Sequence, residues 1–171
     1  MLESVIVIVD TCQGLSVASI PTKHNCIKVC ELYFLYLLYF NNIKMIFIKL
    51  IEELNIEEKN KCINLINNNF ENNRFDTYEK VIFYKCNNDI AGFVGIKENG
   101  LNQLCTDIKY RKKGIACNIL EIAKSLFNKS IYLYVCKNKK DTEYLFNFYK
   151  KSGFVIDIEN DIEYKMIFYK N

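Results

Sequence analysis

Between positions 81 and 106 three short apolar runs, VIFYKC, IAGFVGI and LNQLCT, are separated by the turns NND and ENG. Runs this short, rich in Val, Ile, Phe and Tyr, read as strands, and Asn-Asp or Asn-Gly between them closes hairpins. This stretch is thereby committed to an antiparallel meander. A meander buries one or both faces only if helices or further strands cover it, so the flanking sequence has to supply those layers.

It does so with clear periodicities. Residues 45–54, MIFIKLIEEL, alternate and are β-branched, which predicts a strand. Asn55 with Glu58 forms a capping box, after which Cys62, Ile63, Ile66 and Phe70 recur at helical spacing. Residues 67–77 form a polar connector with room for a short second helix or a loop. Beyond the meander, Ile115, Ile119, Ile122, Ala123 and Leu126 make one apolar helical face. SIYLYVC is a further strand. A helix with Asp141 as its cap then carries Leu145, Phe148 and Tyr149 and closes at Gly153, a glycine placed as a helix C-terminus needs it. FVIDI and EYKMIFY end the chain as a hairpin. The predicted class is α/β (α+β): a mixed, largely antiparallel twisted sheet of about six to seven strands flanked by helices.

The first 44 residues follow a different pattern: a strand-like VIVIV, a loop holding Pro21, and the aromatic run LYFLYLLYF. That run falls far short of the roughly 20 residues that cross a bilayer, so a buried helix is expected and no membrane span. Residues 1–44 are expected to be an extension of unclear structure, with the main domain over 45–171 and Met45 as an alternative start. VDTCQG resembles the nucleophile strand-end of caspase-like cysteine peptidases, but the sole histidine, His24, follows Cys12, so the required upstream base is missing. His24, Cys26 and Cys30 are too few and too loosely spaced for a structural zinc site, and no metal is expected. Eight cysteines without a CxxC pair or a basic, apolar leader predict reduced thiols and an intracellular, cytoplasmic setting. A net charge of +3 argues against a nucleic-acid partner.

The stretch DIKYRKKGIACNIL places a cationic loop with one glycine between a strand and a helix. The first turn of a helix has unpartnered N–H groups and a dipole that favours anions. Gly114 lets backbone approach a diphosphate, Lys112 and Lys113 add charge, and Arg111 adds a directional contact. The glycine patterns of P-loops and dinucleotide folds are absent.

LCTDIKYRKKGIACNIL resembles the acetyl-CoA signature of the GNAT superfamily, the acyl-CoA-dependent N-acyltransferases, whose loop reads [RQ]-x-x-G-x-[GA]. Arg111, Gly114 and Ala116 hold the three defined positions. LFNFYKKSGF supplies a second family feature through Phe148, Tyr149, Gly153 and Phe154. The resemblance covers about residues 45–171. It implies a GNAT-like sheet in which the strand ending at Thr106 splays from SIYLYVC to admit acetyl-CoA as co-substrate. It implies that backbone groups of Leu104, Cys105 and Thr106 pair with the pantetheine arm and polarise the thioester. The diphosphate would lie on Arg111, Lys112, Lys113, Gly114, Ile115 and Ala116, and Tyr149 would protonate the departing thiolate. Thr142 stands where the family often has an Asn that contacts pantetheine, with Asn138 as the alternative.

The general base stays open among Glu98, Asp107 and a water relayed through Gln103, Tyr132 or Tyr134. Cys117, in the first helical turn, is expected to be buried. The four acids of DIENDIE suit a cationic amine, and a solvated turn explains them equally well. The implied function is N-acetyl transfer to a protein, peptide or small-molecule amine. The alternative is an acyl-CoA-binding but inactive sensor or interaction module.

Overall fold

The computed structural model describes residues 4–11, 14–21, 44–87 and 89–170. Within them, β1 (Ser4–Thr11), β2 (Gly14–Pro21) and β3 (Lys44–Leu50) precede helix α1 (Ile56–Asn69). The meander is β4 (Lys80–Cys86), β5 (Asp89–Lys97) and β6 (Gly100–Thr106), followed by α2 (Ile115–Leu126), β7 (Ile131–Cys136), α3 (Thr142–Lys151), β8 (Val155–Glu159) and β9 (Glu163–Phe168). The strands form one sheet in the order β2-β1-β3-β4-β5-β6-β7-β9-β8. Every neighbouring pair is antiparallel except β6 and β7.

Strand alternation divides the core into two layers. On β4, Val81 and Phe83 join Cys62, Leu65 and Ile66 of α1, whereas Ile82 and Tyr84 join Ile119, Leu120 and Ala123 of α2. The central strand β5 is buried on both faces, which is why IAGFVGI reads as a continuous apolar run. α3 adds Tyr149 to the α2 layer.

The capping box forms as expected, with Asn55 Oδ1 accepting from the Glu58 N–H at 2.8 Å. Glu58 has a second task. Its carboxylate meets Lys49 of β3 at 2.8 Å and Lys85 of β4 at 2.9 Å, fastening α1 to the sheet. Burial alone would push this carboxyl up, but the hydrogen bonds and charges of the two lysines outweigh it and hold it below the usual value.

Two element boundaries depart from the sequence reading. The strand expected over 45–54 ends at Leu50, because the Glu53 carboxylate accepts from the Leu50 N–H at 2.8 Å and turns Ile51–Glu53 into a 3-10 helix. The connector after α1, read as a short helix or a loop, is a loop with the 3-10 turn Phe75–Thr77. Pro21 terminates a strand instead of sitting in a loop, a place open to proline because β2 is an edge strand. β1 also bonds to β3, Val7 opposite Phe47, so the sheet runs on across the expected boundary at Met45. The aromatic run at 32–40 and His24, Cys26 and Cys30 lie outside the described residues. No described helix is long and apolar enough to cross a membrane.

Candidate active site

β6 and β7 share a single residue pair, Gly100 with Tyr132, and then part. Beyond that point β6 bonds only to β5 through one edge, while its other edge faces a wedge. An open strand edge is a template for an extended ligand that carries amide groups. Leu104, Cys105 and Thr106 lie along this edge.

The strand is also bent there. Phe93 opposes Cys105 and Gly95 opposes Asn102, so two steps on β5 span three on β6. The additional residue falls at Gln103, whose φ of 50° is left-handed. A non-glycine residue in this conformation costs on the order of 1 kcal/mol, so its surroundings have to hold it. The side-chain amide is held at each end. Its Oε1 accepts from the Arg74 N–H at 3.1 Å and from the Tyr78 hydroxyl, and its Nε2 donates to the Asn72 carbonyl at 2.5 Å. Tyr78 is fixed in turn by Gly95, where a Cβ would come within 2.3 Å of the ring. Burial pushes the Tyr78 phenol up, with Cys105 adding to the effect.

At the open end of the wedge the chain passes from Thr106 through the loop to α2. Gly114 is the N-cap with φ 77°, and a Cβ there would meet nothing within 4 Å. Glycine is therefore required by the backbone angle, and the space over it is open. Among the described residues, the N–H groups of Lys112 through Ala116 donate to none. Lys112 and Lys113 are exposed beside them. The Arg111 guanidinium donates to the Thr106 carbonyl at 3.3 Å and to Asn69 Oδ1 at 2.6 Å, tying the loop to β6 and to the end of α1.

Tyr149 is set by the end of α3. The Gly153 N–H donates to the Lys150 carbonyl at 3.0 Å, and the Phe154 N–H to the Tyr149 carbonyl at 3.0 Å. This is the paired bonding of a glycine-terminated helix, in which the residue after the glycine packs on the residue that accepts its N–H. Phe154 and Tyr149 are those residues, with rings 6.0 Å apart. Tyr149 is 8% exposed, and its hydroxyl bonds to no described residue. Burial, with Cys105 nearby, pushes the phenol up and keeps it protonated.

The remaining candidates occupy other positions. The Thr142 hydroxyl accepts from the Lys139 N–H at 3.1 Å and lies within 3.0 Å of the Cys136, Lys137 and Lys139 carbonyls, closing the loop before α3. Asp141 stands at the N-cap without a side-chain cap bond. Asn138 is exposed. Glu98 lies in the β5–β6 turn at the closed end of the wedge, and Asp107 caps the turn after β6 through the Lys109 N–H at 3.0 Å. Tyr132 and Tyr134 form an edge-to-face pair on β7. Cys117 is exposed, against expectation, because it lies two positions from both Ile115 and Ile119 and so about 200° around the helix from their stripe. Of the acids in DIENDIE, Asp157 pairs with Lys165 at 2.8 Å and Glu159 with Lys137 at 2.6 Å. Tyr78 was missed in the sequence. Its trace there is Gly95, a glycine inside a strand, which marks a close approach.

The acetyltransferase (GNAT) domain family matches residues 51–169, and the chain belongs to that family of acyl-CoA-dependent N-acetyltransferases. Solved structures share the fold at low identity. An acyl-CoA N-acyltransferase from Pseudomonas aeruginosa has a TM-score of 0.61 at 13% identity, over 73% of this chain and 99% of that one. NAA60 of Arabidopsis thaliana, in complex with acetyl-CoA, gives 0.58 at 12%, over 73% and 99%. The PaiA N-acetyltransferase of Thermoplasma acidophilum, in complex with coenzyme A, gives 0.52 at 17%, over 73% and 99%. No curated protein matches the chain in sequence.

Proposed function

We propose that this chain transfers the acetyl group of acetyl-CoA to an amine by direct attack, without an acyl-enzyme. The observation that carries the proposal is the wedge between β6 and β7, with an open strand edge on one side and a glycine-started helix at its mouth. An extended arm bearing amides and ending in a diphosphate fits those two features together. Backbone groups of Leu104, Cys105 and Thr106 pair with the pantetheine amides, and one N–H of this edge polarises the thioester carbonyl. The N–H groups of Lys112 to Ala116 take the diphosphate, Lys112 and Lys113 supply charge, and Arg111 keeps the loop in place. Thr142 supports the wall of the wedge by closing the loop after β7. The neighbours solved with acetyl-CoA and coenzyme A support this co-substrate.

In the reaction the amine nitrogen forms a bond to the acetyl carbon as the carbon–sulfur bond breaks. The thiolate takes the Tyr149 proton, which solvent replaces, and the proton on the new amide nitrogen leaves to water. With the diphosphate bound on the α2 side, the amine enters from the α1 side, past Tyr78 and the connector before it. Asp161 and Glu163, the acids of the last turn without an ion pair among the described residues, favour a cationic amine. Coenzyme A release from acetyl-CoA against a panel of peptides and polyamines tests the reading. Turnover with at least one amine is expected. Binding of acetyl-CoA without release for any of them would favour an inactive sensor.

A further inference from the structure

The geometry points to Gln103 as a positioning residue that joins the cofactor strand to the acceptor wall. The inference rests on the acetyl-CoA reading above. Gln103 is the bulge residue of β6, next to Leu104 on the open edge. A left-handed glutamine has no local reason to be there, since glycine fills such a position without strain. What distinguishes glutamine is its amide, and that amide spends an acceptor and a donor on one segment, residues 72–78. Its orientation is unambiguous, because an N–H of the backbone faces the oxygen and a backbone carbonyl faces the nitrogen.

The chain leading into this segment is held by the rest of the cofactor cleft. Arg111 of the glycine loop reaches Asn69, and Lys139 of the loop after β7 pairs with Glu71. One lip of the wedge therefore grips the end of α1 and the other the start of the connector to β4, and Gln103 grips residues 72–78 from the strand in between. Alignment of the open edge at Leu104 and Cys105 and the shape of the wall at Asn72, Arg74 and Tyr78 become one structural event. Gln103 acts through these groups and not on the substrate.

Amide hydrogen exchange, read with and without millimolar acetyl-CoA, tests this without a known amine. In the wild type, acetyl-CoA should slow exchange both at Leu104, Cys105 and Thr106 and in residues 72–78. Gln103→Gly accepts the left-handed backbone and removes only the amide; protection of the strand should persist and protection of 72–78 should be lost. Gln103→Glu supplies a second check. When ionised it opposes the Asn72 carbonyl, and when protonated it donates to it, so protection of 72–78 should return as pH falls. Equal protection of 72–78 in wild type and Gln103→Gly, or no pH dependence in Gln103→Glu, overturns the assignment. Strand protection in the wild type without protection of 72–78 also overturns it. A wild type with no protection anywhere overturns the acetyl-CoA reading itself, a different outcome from the others.

Discussion

Tyr149 owes its position to residues that follow it in the chain. The glycine-terminated end of α3 folds Phe154 back onto its ring, which fixes the phenol without using the hydroxyl. Tyr149→Phe should therefore keep acetyl-CoA affinity and thermal stability, while kcat falls roughly ten- to a thousandfold, as loss of a general acid allows. Stopped assays with titrated acetyl-CoA check both quantities. Burial raises the phenols of Tyr149 and Tyr78, so their neutral forms favour the fold. That contribution is complete below the unfolded value of about 10 and is lost as pH rises through the folded values. The melting temperature should decline above pH 10 or so, and less steeply in the Tyr149→Phe variant. The Gly114 start of α2 and the glycine-terminated end of α3 that holds Tyr149 were legible in the sequence because each rests on a short local spacing. The Gln103 amide contacts were not, because its partners lie about thirty residues earlier and meet it only through a bulge in a sheet.

Among the helices, α1 depends most on charge. Glu58 is 5% exposed and answers two lysines on adjacent strands. Glu58→Gln leaves both ammonium groups without a counter-charge and should cost about 2 kcal/mol, since the lysines keep some access to water. The sign in acid follows from its lowered value. The carboxylate stabilises the fold above its ordinary value of 4.5 and that stabilisation fades as pH falls below it through the folded value. Melting curves from pH 7 to pH 3 should accordingly converge for wild type and Glu58→Gln. α1 and its capping box were legible because helix signals are local. The early end of β3 was not, because a single carboxylate, Glu53, converts the next residues into a turn. The β2 strand was missed for the same kind of reason: Pro21 signals a loop unless the strand is known to lie at an edge.

At the scale of the molecule, a meander whose last strand parts from the next one leaves a single wedge, and the chain closes that wedge with a cationic loop, a connector and a buried phenol. From β3 onward the mixed sheet and its strand sequence were legible from alternation and turns, and the two motifs fall at the glycine-started helix α2 and at the end of α3 that holds Tyr149. The amine acceptor was not legible, because the acids that suggested a cation are in part spent on Lys137 and Lys165. The central claim is that acetyl-CoA is held with its diphosphate over Gly114. Thermal melting of the wild type and of Gly114→Glu, each with and without acetyl-CoA, tests it most directly. A ligand that binds only the folded state adds about 2.7 kcal/mol at a hundredfold excess over Kd, a rise of roughly 5–10 °C for a domain of this size. The account predicts that rise in the wild type and none in Gly114→Glu, whose side chain and charge would occupy the open space above the helix start. A well-folded wild type that shows no rise, or a Gly114→Glu protein that shows the same rise, would contradict it.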